Sequence, residues 1–319
     1  ANPPHRVPIP IVKAGDRIGK TYIPVDPAKI VAIVPCDLPD VTRALAPLDD
    51  DAERMGNNLV DFLKNEVKHG RLPENLLPLQ SGVGNVANAV INGLVHSDFK
   101  NLSVYTEVIQ DGMFDLIDEG KIDMISGTSL SPSPDGLKRF YANIEKYSKK
   151  IILRPQEISN NGEVPRRIGV VAMNTALEMD IYGHVNSTHV TGTKLMNGIG
   201  GSGDFARNGA LSCFFCHSVA KGGAISAVVP MCSHVDHTEH DTHVFISEQG
   251  VADVRGLSPK ERAKVIINNV AHPTFRDQLM DYFERACALN GNSQTPHILS
   301  EAFKFHTSLA ETGSMLFKK

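Results

Sequence analysis

Between Leu76 and Leu153, short apolar runs alternate with segments of helical periodicity, and no other feature constrains the chain as strongly. The runs ending at Leu79 and Thr106, with Met124 to Ser126 and Ile151 to Leu153, read as buried strands. Helical patterns separate them at Asn85 to Leu94, at Gln110 to Asp118 and after Pro134. Strands spaced by helices imply a largely parallel sheet covered by helices, an α/β fold with an open mixed sheet. Sheets of this kind bind ligands at the carboxyl ends of their strands. Glu107 passes just after the strand that closes at Thr106, so it is a candidate for chemistry. Its competing reading is a helix-starting carboxylate favoured by the helix dipole.

The flanks are different in character. The opening Ala1-Asn-Pro-Pro-His-Arg-Val-Pro-Ile-Pro is extended and proline-rich. Thr21-Tyr22-Ile23 and Ile30-Val-Ala-Ile-Val34 read as strands, the second as a buried one. A few strands without helices cannot bury both faces, so residues 1–48 read as the closing strands of an upstream domain, and 49–319 as a second domain. That domain starts with a helix in which Met55, Leu59, Phe62, Leu63 and Val67 share a face and Gly70 marks the stop. Residues 168–247 are richer in strands and glycine. The last seventy residues are helical: Ser258-Pro259-Lys260-Glu261 is a capping box, and three apolar stripes follow, at Ala263 to Val270, Phe275 to Ala286 and Ile298 to Leu309.

Composition narrows the class of partner. The 319 residues carry 32 basic and 36 acidic side chains for a net charge of −4, with no Lys/Arg block, which argues against nucleic acid or an anionic membrane. No apolar run reaches the roughly 18 residues of a membrane span, and no secretion signal opens the chain, so it reads as intracellular. Five cysteines without regular spacing read as reduced thiols.

Two glycine-rich loops stand out. Gln80-Ser-Gly82-Val83-Gly84-Asn85 joins a strand to a helix, a geometry that aims backbone N–H groups at an anion or a developing oxyanion. Asn197-Gly-Ile-Gly200-Gly201-Ser-Gly203-Asp-Phe205 lets a substrate approach the backbone closely, but it lacks the strand and acidic residue of a dinucleotide fingerprint. Cys213-Phe-Phe-Cys216-His217 has the spacing of covalent haem attachment, yet it lies in a run that reads as a buried strand. His234, His237, His240 and His243 recur every three residues and could hold zinc or nickel, although the interleaved acids suit a polar hairpin tip. No metal ligand is assigned. A metal- or haem-binding module stays as the alternative from a different class.

Five motifs then occur in order: Leu76-Leu-Pro-Leu-Gln-Ser-Gly-Val-Gly-Asn-Val-Ala-Asn-Ala89, Tyr105-Thr-Glu-Val-Ile-Gln110, Arg154-Pro-Gln-Glu-Ile-Ser-Asn160, Gly198-Ile-Gly-Gly-Ser-Gly-Asp-Phe205 and Ser247-Glu-Gln-Gly-Val-Ala-Asp253. Together they resemble the acetyl-CoA hydrolase/transferase family of class I CoA-transferases over nearly the whole chain. Pro230, the His-rich Ser233 to His243 and Val254-Arg-Gly-Leu-Ser-Pro259 look most like its succinyl-CoA:acetate CoA-transferase branch.

The resemblance implies a CoA-transferase domain of the NagB/RpiA-like type with a helical C-terminal part, and a catalytic role for Glu107. Family members attack an acyl-CoA with this carboxylate and pass through an acyl-glutamyl anhydride and a glutamyl-CoA thioester, which an incoming carboxylate resolves. Orientation and binding energy from the CoA arm must offset the weak nucleophilicity of a carboxylate. By the same matching, the N–H groups of Val83 and Gly201 resemble oxyanion donors, and Asn160 resembles the amide that holds the glutamate. Gly82, Gly84, Asn85, Gly200, Gly203 and Glu248 fall in the substrate- and CoA-binding motifs, Glu248 with a turn-capping carboxylate as its alternative. Further implications are acyl-CoA and small carboxylates as substrates in acetate metabolism, no tightly bound cofactor, a homodimer, and a cytoplasmic location, or the mitochondrial matrix in a eukaryote. Acyl-CoA hydrolysis is the alternative activity. Relatives of this kind carry a further N-terminal α/β domain, and the family's active site lies between the two domains.

Overall fold

The computed structural model describes residues 4–42, 44 and 48–317. Its centre is a sheet of eight strands: β1 (Leu79–Ser81), β2 (Leu102–Tyr105), β3 (Ile122–Gly127), β4 (Ile151–Leu153), β5 (Val171–Thr175), β6 (Leu211–Phe215), β7 (Val244–Ser247) and β8 (Gly250–Asp253). They lie in the order β8-β7-β6-β5-β1-β2-β3-β4. Every neighbouring pair is parallel except β7 and β8, which form an antiparallel hairpin at one edge. The expected open mixed sheet is therefore present, and β4 has the bounds read from the sequence. β1 begins only at Leu79, the last residue of the apolar run assigned to it.

Both faces of the sheet are covered, and every residue of β1, β6 and β7 is buried, so the inner strands carry apolar residues on both faces with a few short polar ones among them. Successive side chains of a strand point to opposite faces. Cys213 and Phe215 accordingly join a core with Leu59, Leu63, Leu94 and Val171, whereas Phe214 and Phe245 join a second core with Ile266, Phe275 and Leu279. The first core is closed by α1 (Asp50–Lys68), α2 (Asn85–His96) and α3 (Asp111–Asp118). Helices α1 and α2 cross at Gly56 and Gly93. A Cβ added at Gly93 would lie 2.9 Å from the Gly56 carbonyl oxygen, so the two backbones touch where a side chain would hold them apart. The second core is closed by α6 (Pro259–Asn269) and α7 (Pro273–Leu289), to be joined by α8 (Lys304–Thr312); α4 (Pro134–Ala142) and α5 (Ser202–Asn208) lie between. The capping box at Ser258 and Glu261 is formed. The third apolar stripe is helical only from Lys304, because Ile298 and Ala302 precede the helix in turns.

The reading of residues 1–48 as closing strands needs correction. Among the described residues of that stretch the only regular element is a single helical turn at Pro27–Lys29. Ile23 is 92% exposed and Val31 99%, so neither Thr21 to Ile23 nor Ile30 to Val34 is a strand, and the second is not buried. A strand exists only by hydrogen-bonding to a neighbour, and these runs have none among the described residues. Residues 9–18 do dock. Ile11 and Ala14 are buried, and the Arg154 guanidinium donates to the carbonyls of Ala14 (3.0 Å) and Asp16.

One charged group is deeply built into this frame. Glu66, in the last turn of α1 and 1% exposed, accepts hydrogen bonds from Arg71 and from Arg255 beyond β8. Burial opposes its ionisation, but the two guanidinium groups prevail and hold its carboxyl at about 2, against an ordinary value of 4.5. Because the folded value is the lower one, this stability is present above pH 4.5 and is lost as pH falls toward 2. Glu66→Ala should cost about 1–2 kcal/mol at neutral pH, less than breaking a fully buried pair because the Arg71 and Arg255 side chains it leaves behind still reach solvent. Urea melts at pH 7 and pH 3 check this, since the penalty should shrink at the lower pH.

Candidate active site

A cleft of about 170 Å³ opens at the carboxyl edge of the sheet, where β1, β2 and β5 end side by side. Its walls are Gln80 and Ser81 at the end of β1 with Gly82 and Val83 just after it, Glu107 and Val108 after β2, Asn174 and Thr175 at the end of β5, Ser187, and the glycine-rich segment Asn197 to Ser202.

Glu107 stands at an interruption of its strand. β2 stops at Tyr105, and a two-residue continuation, Val108–Ile109, pairs in parallel with Ser129–Leu130. The Glu107 carbonyl bridges the gap by accepting the N–H groups of Thr128 (2.7 Å) and Ser129 (3.2 Å). Thr106 anchors the turn through its hydroxyl to the Ser81 carbonyl at 3.0 Å. The backbone is thus fixed on both sides of the half-buried Glu107 side chain, which projects into the cleft.

Asn160, the C-cap of a short helix at Gln156–Ser159, donates from Nδ2 to Glu107 Oε2 at 3.1 Å and to Asp204 Oδ2 at 3.3 Å. Its orientation is determined by its other end. Oδ1 accepts the Ser159 hydroxyl at 2.7 Å, and Ser159 in turn bonds Thr128. Ser159 has one proton to give, so Thr128 donates to it, and the amide hydrogens of Asn160 are left for the two carboxylates.

Gly201 meets the same carboxylate from the other loop. A Cβ there would lie 2.1 Å from Glu107 Oε2 and 2.5 Å from Asn160 Nδ2, so any side chain would displace that carboxylate and amide or push the loop back from them. Its φ is −85°, which any residue can adopt; the constraint is purely steric. Gly200, at φ +57°, shapes the turn beside it. Gly82 and the half-exposed Val83 line the cleft across from this segment. Gly84 has φ +102° and donates its N–H to Gln110 Oε1 at 3.1 Å, which ties the loop to the start of α3. Gln80 and Asn174 pair their side-chain amides on the cleft floor at 3.1 and 3.2 Å.

The remaining candidates lie apart. Gly203 is inside α5, its missing Cβ directed toward His237 and Ile199. Asn85 opens α2, and its side chain lies outside the described residues. Glu248 follows β7 at the same edge but four strands from β2, roughly 19 Å along the sheet at the usual spacing. Burial opposes its ionisation, yet hydrogen bonds from Ser218 and Gln249 hold its carboxyl below the usual range.

The cysteines and histidines do not converge. Cys213 and Cys216 point into separate cores, and burial pushes both thiols up. His237 bonds Ser202, His243 accepts the Ser212 N–H, His234 stacks on His189, and His240 is exposed. Among the described residues no group of three His, Cys, Asp or Glu side chains is placed to hold a metal.

Ser159, Asp204, Thr128 and His237 also reach the site, without a role there that the sequence pattern assigns them. Ser159 and Asp204 stand inside quoted motifs, adjacent to Asn160 and three residues after Gly201, and their short polar side chains were the available signal.

Residues 136–283 match the family model described as the acetyl-CoA hydrolase/transferase C-terminal domain. A succinyl-CoA:acetate CoA-transferase from Clostridium kluyveri is 59% identical over 314 residues, 98% of this chain and 58% of its own length. The chain belongs to the acetyl-CoA hydrolase/transferase family. A second relative, an acetyl-CoA hydrolase from Saccharomyces cerevisiae, is 50% identical over 98% of this chain and 61% of its own length. The chain therefore spans about 60% of the length of these relatives. Among solved structures, RipA from Yersinia pestis matches with a TM-score of 0.63 and 25% identity, covering 78% of this chain and 55% of that one. A 4-hydroxybutyrate CoA-transferase from Porphyromonas gingivalis shares the fold, with a TM-score of 0.60 and 24% identity over 76% of this chain and 57% of its own.

Proposed function

We propose that this chain carries the nucleophile of an acyl-CoA:carboxylate CoA-transferase, with succinyl-CoA and acetate as the leading substrate pair. The observation that carries the reading is the placement of Glu107: a carboxylate at a sheet's carboxyl edge, held by Asn160 and pressed against the side-chain-free backbone of Gly201. The carboxylate attacks the thioester carbonyl, and the N–H groups of Val83 and Gly201 hold the resulting oxyanion. CoA leaves as the thiolate, and an acyl-glutamyl anhydride remains. The thiolate then attacks the glutamyl carbonyl, releases the acyl group as a free carboxylate and forms a glutamyl-CoA thioester. An incoming carboxylate reverses the two steps. Because a carboxylate is the nucleophile, no separate base is needed to generate it.

Hydrolysis is the second reading, favoured by the relatives named acetyl-CoA hydrolase; water would then resolve the intermediate. We further assign residues 1–48 to an upstream domain, which is supported by the apolar side chains exposed from Tyr22 to Val41. Glu248, on the same sheet edge, is assigned to the path of the CoA arm. Assembly as a homodimer and a cytoplasmic location complete the proposal; the five free cysteines fit a reducing compartment.

The test is chemical capture. After incubation with succinyl-CoA, hydroxylamine or borohydride should modify one residue, located by peptide mass at Glu107, and acetate should discharge the adduct faster than water does. Modification of Cys213 or Cys216 would sink the carboxylate mechanism, and discharge by water alone would select hydrolysis.

A further inference from the structure

His237 belongs to the histidine-rich stretch that the proposed chemistry does not use, yet it is 3% exposed and reaches the cleft wall. Its backbone is pinned by two hydrogen bonds with Val185, N–H to carbonyl in each direction at 3.1 and 2.9 Å. Its ring packs against Phe214 of β6 with centroids 4.8 Å apart. From this fixed position Nε2 lies 3.0 Å from the Ser202 hydroxyl, and Ser202 follows directly on Gly201.

Counting protons fixes the direction of the bond. The Ser202 hydroxyl is also 3.0 Å from the Ile199 carbonyl, which can only accept. With one proton to give, Ser202 satisfies both contacts only by donating to Ile199 and accepting from His237, so Nε2 carries a hydrogen. The result is a clasp. Across Gly200 and Gly201 the Ile199 carbonyl accepts both the Ser202 hydroxyl and, more weakly at 3.4 Å, the Ser202 N–H, and the hydroxyl is tied in turn to a buried ring.

We infer that His237 is a positioning residue for the transfer: through Ser202 it locks the Ile199–Ser202 turn and so sets the direction in which the Gly201 N–H points. The inference rests on reading Glu107 as nucleophile and Gly201 as oxyanion donor. A donor that keeps its place but loses its aim costs turnover rather than substrate affinity, because the oxyanion exists only on the way to products.

The experiment compares His237→Ala, His237→Gln, Ser202→Ala and the His237→Ala/Ser202→Ala double variant in the full-length protein. His237→Ala and Ser202→Ala should each lower kcat about 10- to 100-fold, short of the loss of a whole donor, with KM for acyl-CoA changed less than about threefold. The double variant should be no worse than either single one, since both remove the same clasp. His237→Gln, whose amide can present a donor near the former Nε2, should recover most of kcat. Multiplying losses in the double variant, equal loss with Gln and Ala, or unchanged kcat in Ser202→Ala would each overturn the inference. Hydroxylamine capture separates it from the reading beneath it. Label at Glu107 formed more slowly in His237→Ala supports the clasp, and label at Glu107 formed at the normal rate refutes the clasp alone. Label at another residue refutes the nucleophile.

Discussion

Glu107→Ala should abolish CoA transfer, with a fall in kcat of at least about 10⁴-fold, as loss of a nucleophile elsewhere suggests. On the proposed mechanism, substitution removes the atom that bonds to the acyl group, and among the described residues the cleft walls are otherwise glycines, amides, hydroxyls and aliphatic groups, none of which can replace it. Asp204 reaches the same Asn160 amide but does not line the cleft. Glu107→Asp should be nearly as inactive, because the backbone is held by the Thr128 and Ser129 N–H groups and cannot advance to make up for the lost methylene. Neither change should unfold the protein. The side chain is half-buried, and among the described residues it is hydrogen-bonded by Asn160 alone, whose second hydrogen still reaches Asp204. Initial rates with succinyl-CoA and acetate, paired with thermal melts, check both halves; appreciable transfer by a folded Glu107→Ala would remove Glu107 from the mechanism.

Gly201→Val should lower kcat by on the order of 10² to 10³, the usual cost of one oxyanion donor. The geometry gives the reason. The first carbon of any side chain would fall 2.1 Å from the Glu107 carboxylate oxygen, so the loop must retreat from the nucleophile or push it aside. Even Gly201→Ala should share most of the loss, since the clash is with Cβ itself. Gly223 makes a suitable comparison. It has φ +91° and open space around it, so valine there strains the backbone by about 1–3 kcal/mol without touching the cleft. Melting temperature should fall for Gly223→Val while turnover per folded molecule holds. The two variants are read side by side by kcat and thermal melting, and near-full turnover in Gly201→Val would make the loop merely structural.

How much of this could be read from the sequence depended on whether a signal was local. The capping box at Ser258 and Glu261 lies within one helical turn, and β4 lies between helices that dictate its role, so both were legible. Ile30 to Val34 carries the same β-branched composition as β4, but composition does not supply a neighbouring strand, and here the run is exposed. The site divides in the same way. Glu107, Asn160 and Gly201 were singled out through motifs, and the structure brings them within contact of one another. His237 is 35 residues beyond Ser202 and reads in the sequence as part of a polar hairpin tip. Its approach follows from a bridge to Val185 and from the sheet order that sets β6 beside β5, neither of which leaves a mark on nearby residues.

The contact between Gly56 and Gly93 gives the cleft a mechanical dependence on a distant point. Helix α2 starts immediately after the loop that carries Val83, and Gly93 lies nine residues beyond Gly84, roughly 13 Å along the axis. The helix is a stiff lever pivoting where it bears on α1. A methyl group at the pivot would prise the two helices apart and swing the far end, moving the Val83 N–H relative to Glu107 without any change in the residues around them. On the proposed role of Val83, Gly93→Ala should therefore lower kcat although Gly93 lies outside the cleft, and initial rates set beside thermal melts check this.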